Sequence, residues 1–371
     1  MTATPTPIDL HTGLPHTGLT AHELVGFELG WDHARHRVEL PAPYGDEPSP
    51  LRDGLLAGRA TFGTRTLAAT RAVRKWLQLR LNAWLRGRSV ELVQVTPHYL
   101  QQIDATHCPI TRVALTAATR QPSDASIDRV RNDAGYAAGN LAVMSVRANH
   151  AKAALGSREA ALIAAALDAE AAAGPRASAA PGPRRDGLSA AEWSRVALLC
   201  SFVEPLSHAE ASALPMHVLP PNRLRLFNPV QALQAFLSRQ WLRPGWSRRI
   251  AGVEALLPEA LRRDFRAFHL TLAARVLAAG PAADEAQARW AVEDAWSAPR
   301  VQQRWARFAG RLDAAACETL LARAAALGLA TTVVMPLTDA GATDGWNLAT
   351  RGYLPPAANA VPAGRQQHLA W

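Results

Sequence analysis

Cysteine is scarce in this chain: three residues in 371, Cys108, Cys200 and Cys317, with no Cys-x-x-Cys pair. That excludes a disulfide scaffold at this length and a four-cysteine zinc site. No run of about 18 uncharged apolar residues occurs, so no bilayer span is predicted. The first ten residues, Met1 to Leu10, carry neither a basic cluster nor an apolar core, and no signal peptide is read there. Disorder of the whole chain is excluded too, because 49% of residues are hydrophobic and 19% charged. The expectation from these absences is a soluble, cytoplasmic protein with no membrane association. One local absence points further: from Arg65 to Arg88 there are seven basic residues and no acid.

The formal charge is +9, and it is unevenly spread. Residues 1–50 hold two arginines against seven acids, and residues 161–371 twenty-two bases against seventeen acids. Residues 51–160 hold sixteen bases against seven acids, an excess equal to that of the whole chain. A field of that sign attracts polyanions, nucleic acid first among them. Within this segment the spacing predicts a helix over 65–86. Val73, Leu77, Leu81 and Trp84 fall on one side, and Arg71, Arg74, Lys75, Asn82 and Arg86 on the other.

Composition divides the rest. Residues 1–60 read as an irregular N-terminal segment, with a solvated, proline-bearing start that duplicates His11-Thr-Gly-Leu as His16-Thr-Gly-Leu. The basic helix and a motif region occupy 61–172. A Pro/Ala/Gly-rich linker covers 173–187 and is taken as the domain boundary. A helical domain follows over 188–330. It opens with the capping box Ser189-Ala-Ala-Glu192 and includes an Asn228-Pro229 cap and first-turn pair and an Asp313 cap. Trp290, Trp296 and Trp305 are read as helix-packing residues of that domain. An irregular tail runs over 331–371.

The motif region reads strand, loop, strand, helix over about 27 residues. Ser126-Ile-Asp-Arg-Val130 has strand propensity, Asn132-Asp-Ala-Gly-Tyr136 and Gly139-Asn140 are turn chemistry, and Leu141-Ala-Val-Met144 is a second strand. Arg147-Ala-Asn-His-Ala-Lys152 begins a helix. The run Ser126, Asp128, Arg129, Gly135, Tyr136, Gly139, Asn140, Arg147, Asn149 and Lys152 resembles the ββα-metal fold of HNH endonucleases. It is closest to the phage-type branch, whose pattern is S-x-D-R-x5-G-Y-x-x-G-N followed by R-x-N-x-x-K. Cys108-Pro-Ile-Thr111 looks like the opening knuckle of the same family. The resemblance covers about 45 residues of the chain.

The resemblance implies a small ββα-metal (HNH-like) module, core 105–155. Joined to the helical reading of 188–330, it gives the expected fold class, α+β: a mainly helical chain with that module and a separate all-α C-terminal domain. It implies Asp128 and Asn149 as ligands of one divalent metal, Mg²⁺ or Mn²⁺, and no structural zinc, because the structural Cys-x-x-Cys that many HNH proteins place before the helix is Ser145 and Ala148 here. Asn140 takes the loop-stapling position. Arg129 stands where a histidine base would, and arginine stays protonated, so His107, His150 or a metal-bound hydroxide would have to take the proton. The implied catalytic set is Asp128, Arg129, Asn140, Asn149 and His150. Arg131, Arg147 and Lys152, with Arg71, Arg74, Lys75 and Arg86 of the basic helix, are expected to bind phosphates. The leading expectation is a metal-dependent nuclease acting on DNA, or a degenerate relative of one. The alternatives are a non-catalytic nucleic-acid-binding protein that keeps the ββα fold, and a helical interaction protein with a partner on its C-terminal helices.

Overall fold

Thr20, Ser49 and Thr70 start the first three helices in the same way. Each side-chain oxygen accepts the backbone N–H three residues on, from Glu23 and Arg52 at 3.2 Å and from Val73 at 3.3 Å. The computed structural model describes residues 19–173, 182–330, 341 and 343–354. The His11/His16 duplication, residues 174–181 of the expected linker and most of the expected tail lie outside them. Among the described residues the chain forms fourteen helices and two small two-stranded sheets. No described helix is long and apolar enough to cross a membrane.

The contacts divide the chain into two units. The first comprises residues 1–102, 133–138 and 345–371. Its helices are α1 (Ala21–Arg35), α2 (Pro50–Phe62), α3 (Arg71–Leu85) and α4 (Pro97–Gln102). Leu29, Leu51, Leu55, Val73, Leu77, Leu81 and Trp84 form its core. α1 and α2 meet backbone to backbone: a Cβ on Gly30 would overlap the Leu51 carbonyl oxygen, and one on Gly54 the Phe27 carbonyl. Glycines at these positions set the distance between the two helices. α3 buries the side predicted from its spacing, while Arg71, Arg74 and Arg86 are exposed and Lys75 half-buried. Arg80 is the exception: it is buried, paired to Asp32 and stacked on Trp76.

The second unit comprises residues 103–132 and 139–344. Strands β1 (Ala125–Arg129) and β2 (Leu141–Ser145) pair antiparallel, with Asp128 opposite Ala142, and lead directly into α5 (Val146–Lys152). α6 (Ser157–Ala173) follows, then a short hairpin of β3 (Arg184–Arg185) and β4 (Leu188–Ser189). The remaining helices are α7 (Ala190–Ser201), α8 (His208–Ala213), α9 (Pro229–Gln240), α10 (Trp246–Leu256), α11 (Glu259–Ala278), α12 (Glu285–Ala295), α13 (Pro299–Ala309) and α14 (Ala314–Ala326). Trp296, Trp305, Phe265, Phe268 and Phe308 make a buried aromatic cluster, with the Trp296 and Trp305 rings 5.3 Å apart. Trp296 and Trp305 are core, in keeping with the helix-packing reading, while Trp290 is half-buried against His107 and Arg112.

Four expectations are revised. Residues 1–60 are not an irregular segment, since α1 and most of α2 lie there, and the basic helix expected over 65–86 begins only at Arg71, where Thr70 caps it. The boundary does not fall at 173–187: α6 and α7 pack together within one unit, and the described end of that stretch is a folded hairpin. Asn228 precedes α9 but does not cap it with its side chain. Its amide nitrogen donates instead to the Ser201 and Glu204 carbonyls, each at 3.0 Å, closing the C-terminal end of α7.

Candidate functional site

The motif residues of β1 and α5 converge on one side of the hairpin. Side chains alternate along a strand, so Ser126 and Asp128 share a face and Arg129 takes the other. Asn149 and Lys152 are three apart on α5 and share its inner side. The Asn149 amide nitrogen donates to Ser126 Oγ at 2.7 Å. The Lys152 ammonium lies 3.0 Å from Asp128 Oδ2, an ion pair off the direct line of a hydrogen bond.

Lys152 is fully buried, and Asp128 is 5% exposed. The ammonium has three donors, and three oxygens surround it. Besides Asp128, it donates to the Arg129 carbonyl at 3.0 Å. The Asn132 amide, oriented so that its nitrogen reaches the Ala153 carbonyl at 3.2 Å, offers its oxygen to Nζ at 2.9 Å. Burial pushes the Asp128 carboxyl above its ordinary range, and the Lys152 charge acts against that rise.

Asn140 is fully buried at the foot of the same hairpin. Its Oδ1 accepts from the Arg131 N–H at 2.8 Å and its Nδ2 donates to the Arg131 carbonyl at 3.0 Å. One side chain thus pairs both backbone groups of a residue across the loop. Gly139 adopts a φ of +86°, and its carbonyl accepts from the Arg225 N–H at 2.9 Å. In the first unit, Gly135 and Tyr136 lie against residues 89–91. The Tyr136 N–H donates to the Ser89 carbonyl at 2.9 Å, and a Cβ on Gly135 would strike Ser89.

The other expected site residues are elsewhere. His150 is exposed, turned about 100° around α5 from Asn149. His107 pairs with Thr106 Oγ1 at 3.1 Å and sits edge-on to Trp290, 5.4 Å between centroids. Arg129 sends its guanidinium to the Asn132 carbonyl at 3.1 Å. Arg131 is half-buried, and Arg147 pairs with Glu192 at 3.4 Å. Lys152, expected on a phosphate-facing surface, is interior, because its charge neutralises the Asp128 carboxylate.

The residues present do not fit a divalent ion. Asp128 is enclosed and faces an ammonium, whose charge repels a second cation at the same carboxylate. The nitrogen end of the Asn149 amide is turned to Ser126. The knuckle positions are likewise joined by hydrogen bonds. Cys108 Sγ accepts from the Thr111 N–H and from Ser145 Oγ, both at 3.4 Å, and Ser145 Oγ caps α5 at the Ala148 N–H.

Sequence reading missed a second ionic junction in this unit. Arg112, in the turn after Cys108, grips Asp294 of α12 through both terminal nitrogens at 2.8 and 2.7 Å, and Glu293 at 3.3 Å. His217 stands near the same charges, its Nδ1 3.1 Å from Ser297 Oγ. Burial, with the charges of Arg195 and Arg112 and against that of Asp294, pushes His217 down to about 4. Arg112 has no helix or strand periodicity to mark it, and its partners lie about 180 residues away in the chain. No family model, curated protein or solved structure matches the chain.

Proposed function

We propose that this chain is a nucleic-acid-binding protein whose ββα unit resembles that of HNH endonucleases and works without their metal chemistry. The carrying observation is the Lys152 ammonium, held by Asp128, Arg129 and Asn132 oxygens where the nuclease reading needs a divalent cation. A buried ammonium supplies a fixed positive charge, but it offers no open coordination position for water or a phosphate oxygen. Arg129 cannot serve as a base, and His150 faces solvent away from Asp128.

The nucleic-acid part of the reading rests on charge. Residues 51–160 carry sixteen bases against seven acids, and Arg71, Arg74 and Arg86 stand exposed on α3. Such contacts give affinity without base selection and weaken steeply with salt. Fluorescence anisotropy of a labelled 20-base-pair duplex tests the proposal. The expected result is salt-dependent binding that is the same in EDTA and in Mg²⁺. Absence of binding at low salt favours the helical interaction protein, and cleavage in Mg²⁺ favours the nuclease.

A further inference from the structure

The stretch expected as a linker ends in a hairpin packed on α6 and α7, with its turn beside Arg147 of the motif helix. Asp186 and Gly187 both have left-handed backbone, φ +51° and +77°, the two-residue turn that matches strand twist. Leu188 is fully buried, and the Trp193 indole N–H donates to the Arg185 carbonyl at 3.1 Å. The ribbon is therefore fastened to α7 at two points. Its turn also touches α5: a Cβ on Gly187 would lie 3.6 Å from Arg147 Cδ.

Charge is concentrated at this junction. Glu192 is nearly buried, and its carboxylate receives the Ser189 N–H at 2.8 Å. Arg147 reaches it at 3.4 Å from α5 and Arg184 at 3.3 Å from the ribbon. Two guanidinium groups thus flank one carboxylate. Arg185 adds a third cation, 63% exposed, with only a 3.9 Å contact to Asp186. Arg147 and Arg184 are 37% and 48% exposed, so their outer donors face water. At 3.3–3.4 Å these pairs are long, and the donors they leave unused keep the planar guanidinium fork that also matches phosphate oxygens.

We propose that the β3–β4 ribbon and the start of α5 form one surface for the phosphate backbone of a nucleic-acid duplex, with Arg147, Arg184 and Arg185 as the residues that meet it. This rests on the nucleic-acid reading above and adds an element that lies outside the motif.

The test is duplex anisotropy across a salt series with the full chain. Arg184→Gln with Arg185→Gln is expected to weaken binding about tenfold near 0.1 M salt. The log–log salt slope should become shallower by about two, one for each phosphate no longer neutralised. Arg263→Gln with Arg275→Gln on α11, the same change in charge at two exposed arginines, is expected to stay within twofold. Equal weakening by both double variants, or none by the ribbon variant, overturns the ribbon surface while leaving the nucleic-acid reading standing. A wild-type chain that binds no duplex overturns both. Should the ribbon variant fail to melt cooperatively, Arg185→Gln alone carries the test, with about threefold weakening expected and no change overturning the proposal.

Discussion

Lys152 Nζ and Asp128 Oδ2 lie 3.0 Å apart in the interior of the second unit, joining the last turn of α5 to the first strand of the hairpin. The pair holds two charges that are costly to bury alone and tolerable together. It turns a motif aspartate that resembles a metal ligand into half of a helix–strand lock.

That lock predicts strong coupling. Lys152→Met alone strands a buried carboxylate, and Asp128→Asn alone strands a buried ammonium. Each is expected to cost about 3–5 kcal/mol in urea unfolding. The double variant should cost clearly less than the two added together, because it leaves no unpaired charge. Additive costs would mean that the two groups do not depend on each other.

Asn140 predicts a second loss. Asn140→Ala removes two hydrogen bonds to the Arg131 backbone and leaves a cavity at a fully buried position, and is expected to destabilise by about 2–4 kcal/mol, measured by denaturant melts. Asn140→Asp keeps the acceptor for the Arg131 N–H but sets a carboxylate oxygen against the Arg131 carbonyl. It should therefore be no better than alanine. A neutral Asn140→Ala would contradict a stapling role.

The helix contact in the first unit gives a third expectation. Gly30→Ala and Gly54→Ala each add one carbon against backbone atoms that cannot rotate away. Each should destabilise by about 3 kcal/mol, at or above the usual range for overpacking. Alanine is the better helix former by about 1 kcal/mol. A stabilised variant would therefore mean that the helices separate freely.

The strand–loop–strand–helix order was legible because each piece has local chemistry. Ile127 lies at the centre of the strand and Val130 just past its end, Gly139 marks a turn that needs positive φ, and Ser145 caps α5. The burial side of α3 was legible from period alone. The destination of Lys152 was not, since a lysine among Arg147, Asn149 and His150 reads as part of a solvated helix face. Only the approach of β1 puts three oxygens around it. The ribbon at 184–189 was hidden by its Pro/Ala-rich surroundings, although Asp186-Gly187 is a hairpin signal. Asn228 fits the sequence pattern of a cap, yet its amide serves the end of another helix.

Acid sensitivity follows from His217. Its folded pKa, about 4, lies below the ordinary 6.5. The unfolded chain therefore takes up the proton first, and unfolding gains from acid. The contribution of this group is full above pH 6.5 and declines as the pH falls toward 4. Arg195 of α7 and Arg112 oppose the imidazolium, and Asp294 of α12 favours it. Melting temperatures between pH 7.5 and 4.5 should fall less steeply in His217→Gln than in the wild type. Parallel curves would show that His217 does not titrate in this window.

Incubation of supercoiled plasmid with the full chain, in Mg²⁺ and separately in Mn²⁺, tests the central claim most directly. With Asp128 committed to Lys152, the plasmid is expected to stay supercoiled while the protein retards its migration in a native gel, equally with and without EDTA. Nicking that requires the metal and disappears in Asp128→Ala would contradict the account.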